Sequence, residues 1–331
     1  MKPSFRDPIS RGRRVTLMAM LAGALPTLAR AQAYPARAIK LVVTQAAGSG
    51  SDVIARLVGD RLAEALKQPV IVENRPGASG IIGHQFVLGA PHDGYTLLMS
   101  STANLLVVPV MASNARFRYT DFTPVAALLE SAYVVVVANA PGKPSTLKEL
   151  LDAGRTRPLS FASSGTGSMG HLGAELILER AGSPQRHVHV PYRGSAQALA
   201  DVVGGQAAFA VDTLLAAEPL IKGGRLRALA VTSAHRLDSL PEVPTLQEAG
   251  LPDMDVTTKA GIFAPSDVPP VVVTTISTAV SRILAEPNVR ATLRSLGNEP
   301  SGLSPAQYQA SLSDEAPAWE RLVRRLDLRM E

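Results

Sequence analysis

The amino-acid sequence predicts an α/β fold in two closely joined domains. Three observations predict it. Short β-branched runs alternate with helical patterns, the signature of βα units on parallel sheets. The 331 residues exceed what one hydrophobic core usually organises. No low-complexity linker divides the chain, so the domains are not beads on a flexible string.

Residues 1–33 read as an export signal and are set apart from the fold. Arg6, Arg11, Arg13 and Arg14 form a cationic region, Val15 to Ala29 is an apolar run interrupted by Pro26, and Ala31-Gln32-Ala33 is an A-x-A cleavage site. The run is too short to span a bilayer. The mature protein is therefore expected in the periplasm, beginning at Tyr34. Arg13-Arg14 fits twin-arginine export, but Thr16 departs from the stricter pattern, and the route stays open.

The signal also carries the basic bias. The whole chain has a net charge of +5, with 33 Lys+Arg and 28 Asp+Glu; residues 1–33 hold six of the basic side chains and one acidic one. From Tyr34 onward the charges balance, which removes the argument for a nucleic-acid or anionic-membrane partner. The chain has no cysteine, and so no disulfide, thiolate metal site, catalytic thiol or cysteine for a lipid anchor. A freely diffusing monomer is expected.

Strands are predicted at Ile39–Thr44, Val70–Glu73, Thr96–Ser100, Tyr133–Asn139, Leu159–Ala162, His187–Tyr192, Ala207–Val211 and Leu226–Thr232. Ile54, Leu57, Val58, Leu62, Ala65 and Leu66 give a helical stripe after the first strand. Further helices are read at Thr146–Asp152, Gly170–Ala181 and Ser195–Val203. Arg75-Pro76-Gly77 and His92-Asp93-Gly94 are turns. Near the C-terminus, Tyr308, Leu312, Trp319, Leu322, Val323 and Leu326 form an apolar stripe expected to pack back on an earlier lobe.

One local repeat carries chemistry. Val43 to Ser51 and Phe161 to Ser168 each run strand, G-[ST]-G-S loop, helix, with Gly48-Ser49-Gly50-Ser51 in one and Gly165-Thr166-Gly167-Ser168 in the other. Glycines there let free N–H groups of the first helical turn approach a ligand, and the helix dipole makes the place attractive to anions. A lone glycine-serine loop reads equally well as a turn; two at equivalent positions favour a ligand carrying carboxylates.

Gly165 to Gly170 also satisfies G-x-G-x-x-G between a strand and a helix, which raises dinucleotide binding. That fingerprint expects an acidic residue at the end of the next strand, whereas this one ends at Tyr192-Arg193, where Arg193 would favour a 2′-phosphate. Nucleophile and metalloprotease motifs are missing, so no catalysis and no cofactor are expected. His187, His189 and His171 would make a three-histidine metal set if they converged, against the plainer reading of histidines hydrogen-bonded beside the core; no metal is expected. Asp212 and Asp52, near strand ends and helix starts, read either as ligand contacts or as helix caps.

Together these residues resemble the Bug-type substrate-binding proteins of tripartite tricarboxylate transporters. The resemblance covers the chain from Tyr34-Pro35 onward. It runs through Gln68 to Ala78, Asp93 to Leu98, Ser163 to His171, His189 to Ser195, and Leu240 to Thr245. It implies a two-lobed periplasmic-binding-protein fold of the Venus flytrap, type II-like kind, each lobe a mixed sheet flanked by helices. The implied lobes are residues 34–134 plus 259–331, and 135–258. It also implies a small carboxylate ligand and a tripartite tricarboxylate-type membrane transporter as partner. The implied ligand contacts are Gln45, Ala47, Gly48, Ser49, Gly50 and Asp52 in the first loop, Ser101, Thr102 and Asn104 beyond the third strand, Ser163, Ser164, Gly165, Thr166, Gly167, Ser168 and His171 in the second loop, and Asp212.

The sequence departs from the family pattern at Gln45, Gly48-Ser49, Val108 and Lys259, where an aromatic residue, a Gly-Gly pair, asparagine and tryptophan are common. Gln45 and Ser49 are expected to make the cleft more polar. Lys259 either pairs with a ligand carboxylate or sits exposed at the rim, the rim being favoured because lysine is rarely buried unpaired. Two alternative functions remain: a ligand sensor partnered with a membrane kinase, which shares fold and pocket, and an NADP-binding enzyme using the Gly165–Gly170 loop.

Overall fold

The structure is a computed structural model describing residues 34–330 except 184–186, 193, 253 and 255. The expected export signal, its cleavage site and Arg193 lie outside the described residues. No helix among those described is long and apolar enough to cross a membrane.

Two mixed sheets organise the chain. The first contains β1 (Ile39–Val43), β2 (Val70–Asn74), β3 (Thr96–Ser101), β4 (Phe122–Ser131), β10 (Thr258–Pro265) and β11 (Asn298–Pro300) in the order β11-β4-β10-β3-β1-β2. The second contains β5 (Tyr133–Ala138), β6 (Ser160–Ser163), β7 (Val188–Pro191), β8 (Phe209–Thr213) and β9 (Leu226–Val231) in the order β7-β6-β8-β5-β9. The helices are α1 (Gly50–Leu66), α2 (Ile81–Leu88), α3 (Val108–Met111), α4 (Leu147–Thr156), α5 (Met169–Arg180), α6 (Ser195–Val203), α7 (Leu214–Lys222), α8 (Pro270–Ala285), α9 (Pro287–Ser295) and α10 (Pro305–Arg325).

The two sheets repeat one plan. In the first, β1 lies between parallel neighbours β2 and β3; in the second, β6 lies between parallel neighbours β7 and β8. Beside β3 runs the antiparallel β10, and beside β8 the antiparallel β5. Each of these strands enters directly from the other lobe. The chain thus crosses twice, so the first lobe combines residues from both ends of the sequence. β1 and β6 are equivalent, and each leads into a helix, α1 and α5, at the carboxyl edge where ligands of open α/β sheets gather.

The first passage between the sheets is at Ala132, the one residue between β4 and β5. It is tied to the second. The Tyr133 N–H donates to Thr232 Oγ1 at 2.9 Å, the Thr232 N–H donates to Tyr133 O at 2.9 Å, and the Thr232 hydroxyl donates to Val256 O at 2.8 Å.

All eight expected strands form, within two residues at each end. β4, β10 and β11 were not expected, and their residues say why. β4 carries Pro124 and an Ala126-Ala127-Leu128-Leu129 stretch; β10 carries Gly261 and ends in proline. Such residues disfavour strands in isolation, and packing overrides them here. A Cβ on Gly261 would lie 2.5 Å from Ala126 O and 2.6 Å from the Tyr308 ring, so only glycine lets β10 lie between β4 and α10. The ladder slips between Ile262 and Phe263, beside Pro124, which has no N–H to give.

Ile54, Val58 and Leu62 of α1 pack with Val272, Ile276 and Ile283 of α8 on one face of the first sheet. On the other face, Tyr308, Leu312, Trp319 and Val323 of α10 are buried, as the stripe predicts. The C-terminal helix thereby completes the first lobe.

Candidate functional site

Between the lobes lies a cleft of about 510 Å³. Its ends are built by the loops after β1 and β6. Ser49 caps α1, its hydroxyl accepting the Asp52 N–H at 3.3 Å; Ser168 caps α5, its hydroxyl accepting the His171 N–H at 3.3 Å. The Ser49 N–H closes a turn onto Ala46 O, and the Ser168 N–H closes the same turn onto Gly165 O. The glycine before each cap is left-handed, Gly48 at φ 81° and Gly167 at φ 76°, a conformation costly for any residue with a Cβ.

The third residue of each helix then reaches back. Asp52 Oδ2 accepts the Gly48 N–H at 2.9 Å, and His171 Nδ1 accepts the Gly167 N–H at 3.0 Å. The repeat is therefore real, but its register is corrected by two residues: Gly48-Ser49 corresponds to Gly167-Ser168, not to Gly165-Thr166. What repeats is the cap and its acceptor three residues on, a variant of the capping box. In both helices the first two N–H groups, those of Gly50 and Ser51 and of Met169 and Gly170, have no intrahelical acceptor. Gly50, Ser51 and Met169 line the cleft.

Beneath each loop is a support. Asp52 is 3% exposed; it accepts hydrogen bonds from Arg56 and from Asn74, whose amide also donates to Gln45 O at 3.1 Å. The Arg56 bond, with the Gly48 N–H, holds the Asp52 carboxyl down at about 2. Under the second loop His171 and His189 stack with centroids 3.6 Å apart, and the His189 Nε2 bonds Ser163 Oγ at 2.7 Å. Burial, and for His171 also the neighbouring imidazole, pushes His171 to about 3 and His189 to about 4. Both rings are neutral near pH 7, and His171 can accept at Nδ1 only in that state.

The third side of the cleft is a strained loop. Gly77, Ala78, Ser79 and Gly80 all have positive φ, the non-glycine pair at 46° and 53°. Asn104 holds it, its amide donating to Ser79 O at 3.2 Å while its carbonyl oxygen accepts from Ser101 Oγ at 3.2 Å. Non-glycine residues in this region are a mark of functional segments.

Of the residues named from sequence, the structure brings Gln45, Gly50, Ser101, Asn104, Ser164, Gly165, Thr166, Gly167 and Ser168 together on the cleft wall. The others stand behind it. Ala47, Gly48 and Ser49 shape the first loop; Ser163, fully buried, donates to Gly165 O at 3.0 Å. Thr102, 2% exposed, accepts the Lys259 N–H. Asp52 is not the cap of α1, and Asp212 is not the cap of α7, whose N-cap is Thr213. Asp212 is 2% exposed and accepts from Ser195 Oγ and the Thr213 N–H, both at 2.7 Å, and burial raises its pKa.

Lys259 corrects an expectation. It is not at the rim: its side chain is 12% exposed and pairs with Glu315 of α10 at 2.8 Å. Gln45 and Val108 do line the cleft, whereas Ser49 works as a cap. His187 accepts the Leu159 N–H and bonds Ser183, so the histidines are held in local hydrogen bonds. Among the described residues no group of three His, Cys, Asp or Glu is arranged for a metal.

Sequence reading missed Ser79, Ser131, Tyr133, Thr213 and Asn298, all on the cleft wall. Ser131 and Tyr133 flank the crossing, visible only once the two sheets are known. The glycine at Gly170 has its own cause: a Cβ there would lie 2.3 Å from Val211 O. The third glycine of the G-x-G-x-x-G pattern thus serves the packing of α5 on β8.

Two mixed α/β lobes, joined by paired crossing strands and enclosing a cleft faced by two helix starts, define a two-lobed binding protein. Residues 54–328 match the model described as "Tripartite tricarboxylate transporter family receptor", and the chain belongs to that family. The UPF0065 protein in the tcbD-tcbE intergenic region of Pseudomonas sp. (strain P51) is 38% identical, covering 96% of this chain and 95% of its own length. The protein BugT of Bordetella pertussis is 33% identical, covering 89% and 90%. Among solved structures, a TctC solute-binding protein from Polaromonas without ligand has a TM-score of 0.80 at 28% identity, covering 88% of this chain and 99% of its own. R. palustris Rpa4515 with adipate has a TM-score of 0.72 at 33% identity, covering 88% and 97%. MatC of Rhodopseudomonas palustris with bound malate has a TM-score of 0.70 at 30% identity, covering 88% and 100%.

Proposed function

We propose that this protein is a periplasmic receptor that binds a small carboxylate between its lobes and hands it to a membrane transporter of the tripartite tricarboxylate class, without catalysis. The observation that carries this is the pair of capped helix starts facing one cleft. The first offers the N–H groups of Gly50 and Ser51 and the second that of Met169, each with the positive end of a helix dipole, fixed before the ligand arrives. No lysine, arginine, histidine, aspartate or glutamate lines the cleft among the described residues, so the donors facing a ligand are backbone amides, hydroxyls and the side-chain amides of Gln45, Asn104 and Asn298. Adipate in Rpa4515 and malate in MatC support the ligand class.

In this reading residues 34–132 with 258–331 form one lobe and 133–257 the other. They close by hinge motion about Ala132 and the Thr232 contacts. Gln45, Gly50, Ser51, Ser101 and Asn104 contact the ligand from the first lobe, Ser164 to Met169 and Thr213 from the second. Asp52, His171 and Asp212 position those groups.

The test is thermal unfolding against a panel of carboxylates, amines and neutral sugars. A carboxylate at a hundred times its Kd should stabilise the fold by about 2.7 kcal/mol. A shift produced only by amines or sugars would overturn the reading.

A further inference from the structure

Five methionines occur from residue 34 onward, and four of them, Met99, Met111, Met169 and Met330, line the cleft. They come from separate elements: Met99 from β3, Met111 from the end of α3, Met169 from the first turn of α5, and Met330 from the C-terminal segment. The last is drawn in deliberately, its N–H donating to Met111 O at 3.0 Å. Leu129 and Leu296 extend the same apolar surface. Met111 faces the second lobe so closely that a Cβ on Gly167 would lie 2.5 Å from its Cε.

Methionines from both lobes therefore line the cleft into which the helix starts offer their amides. Met169 joins the two features: its N–H stands at the first position of α5, and the residue lines the cleft. Methionine is unbranched and polarisable, adapts its shape to what it covers, and makes favourable contacts with aromatic rings. A hydroxylated or multiply charged ligand body would gain nothing from the methionines and would be unfavourably desolvated against them, depending instead on the serines, threonines and asparagines elsewhere on the cleft wall.

We infer that the ligand is an apolar-bodied carboxylate, a carboxylate group carried on an aromatic ring or a methylene chain, and that the methionine wall selects the body. The inference rests on the proposed carboxylate reading and specifies its substrate class.

Titration calorimetry of the purified protein with benzoate, hexanoate, adipate, malate, citrate and benzamide tests it. Benzoate, hexanoate or adipate should bind at least tenfold tighter than malate and citrate, with benzoate against hexanoate telling ring from chain. Met111→Gln and Met330→Gln should each reduce that ratio several-fold, and Met111→Leu should keep it. Tighter binding of malate or citrate would overturn the inference while leaving the carboxylate reading intact. Equal binding of benzamide and benzoate, or no binding by any carboxylate, would overturn both. The wild-type ratio decides the matter even where a glutamine variant folds poorly.

Discussion

Asp52 and His171 hold the same place in the two lobes: each is the third residue of its helix and accepts the N–H of the glycine before the serine cap, at 2.9 and 3.0 Å. One is a carboxylate paired with Arg56, the other a neutral imidazole stacked on His189. Different chemistry thus serves one geometric task, which is to keep the loop shut so that the next amides stay aimed at the cleft. Replacing either by alanine should leave a partly buried N–H unsatisfied, costing about 1–3 kcal/mol of stability, and should weaken carboxylate binding. Asp52→Asn, which keeps an acceptor, should be milder. Denaturant melts together with titration calorimetry would measure both effects.

The glycines at these loops should separate two effects. Gly48→Ala and Gly167→Ala each place a Cβ on a left-handed residue, at about 1–2 kcal/mol. A Cβ at Gly48 meets nothing within 4 Å, whereas one at Gly167 meets Met111. Both variants should lose stability, but only Gly167→Ala should also lose tenfold or more in affinity. Adding Met111→Ala to it should recover part of that loss.

Acid should weaken the fold well above the pH at which Asp52 protonates. His84 is fully buried, bonded to Gly80 O and Ser100 Oγ, and burial lowers it to about 4; His171 lies at about 3. For these bases the unfolded chain binds more protons than the folded one between the ordinary histidine value and the lowered one. Stability therefore falls as pH drops through that window, by roughly 2 kcal/mol per histidine at pH 5. Asp52, lowered to about 2, adds its loss only below the usual carboxylate range. Unfolding followed from pH 7 to 5 should show the decline, and His84→Asn should flatten its slope.

Lys259 and Glu315 form a mostly buried pair, and although Thr258 and Ala260 on either side of Lys259 line the cleft, Lys259 does not. Lys259→Met should cost about 1–3 kcal/mol by leaving the half-buried Glu315 carboxylate of α10 with the Ser311 hydroxyl and no cation, with ligand affinity unchanged. A large loss of affinity at unchanged stability would place Lys259 in the binding machinery instead.

Much of this was legible in the sequence because local signals and the fold agree. The β-branched runs that became β1, β2, β5 and β7 pack side chains a strand favours, and the stripe on α10 has one side to bury. The unread strands β4 and β10 owe their state to each other and to α10, through Gly261 and the alanines facing it. The two loops were found by their glycines, yet misaligned by two residues, because the repeating unit is the serine cap with its acceptor at Asp52 or His171, two residue types that no pattern search equates. Met99, Met111, Met169 and Met330 are far apart in the chain, and only the two crossings bring them to one cleft.

The central claim, that two helix starts hold one carboxylate, is tested most directly at the amides themselves. In ¹⁵N-resolved NMR spectra, saturating adipate or benzoate should shift the signals of Gly50, Ser51, Met169 and Gly170 together, with one common Kd. Shifts confined to one loop, or a bound carboxylate that leaves these four signals in place, would contradict the account.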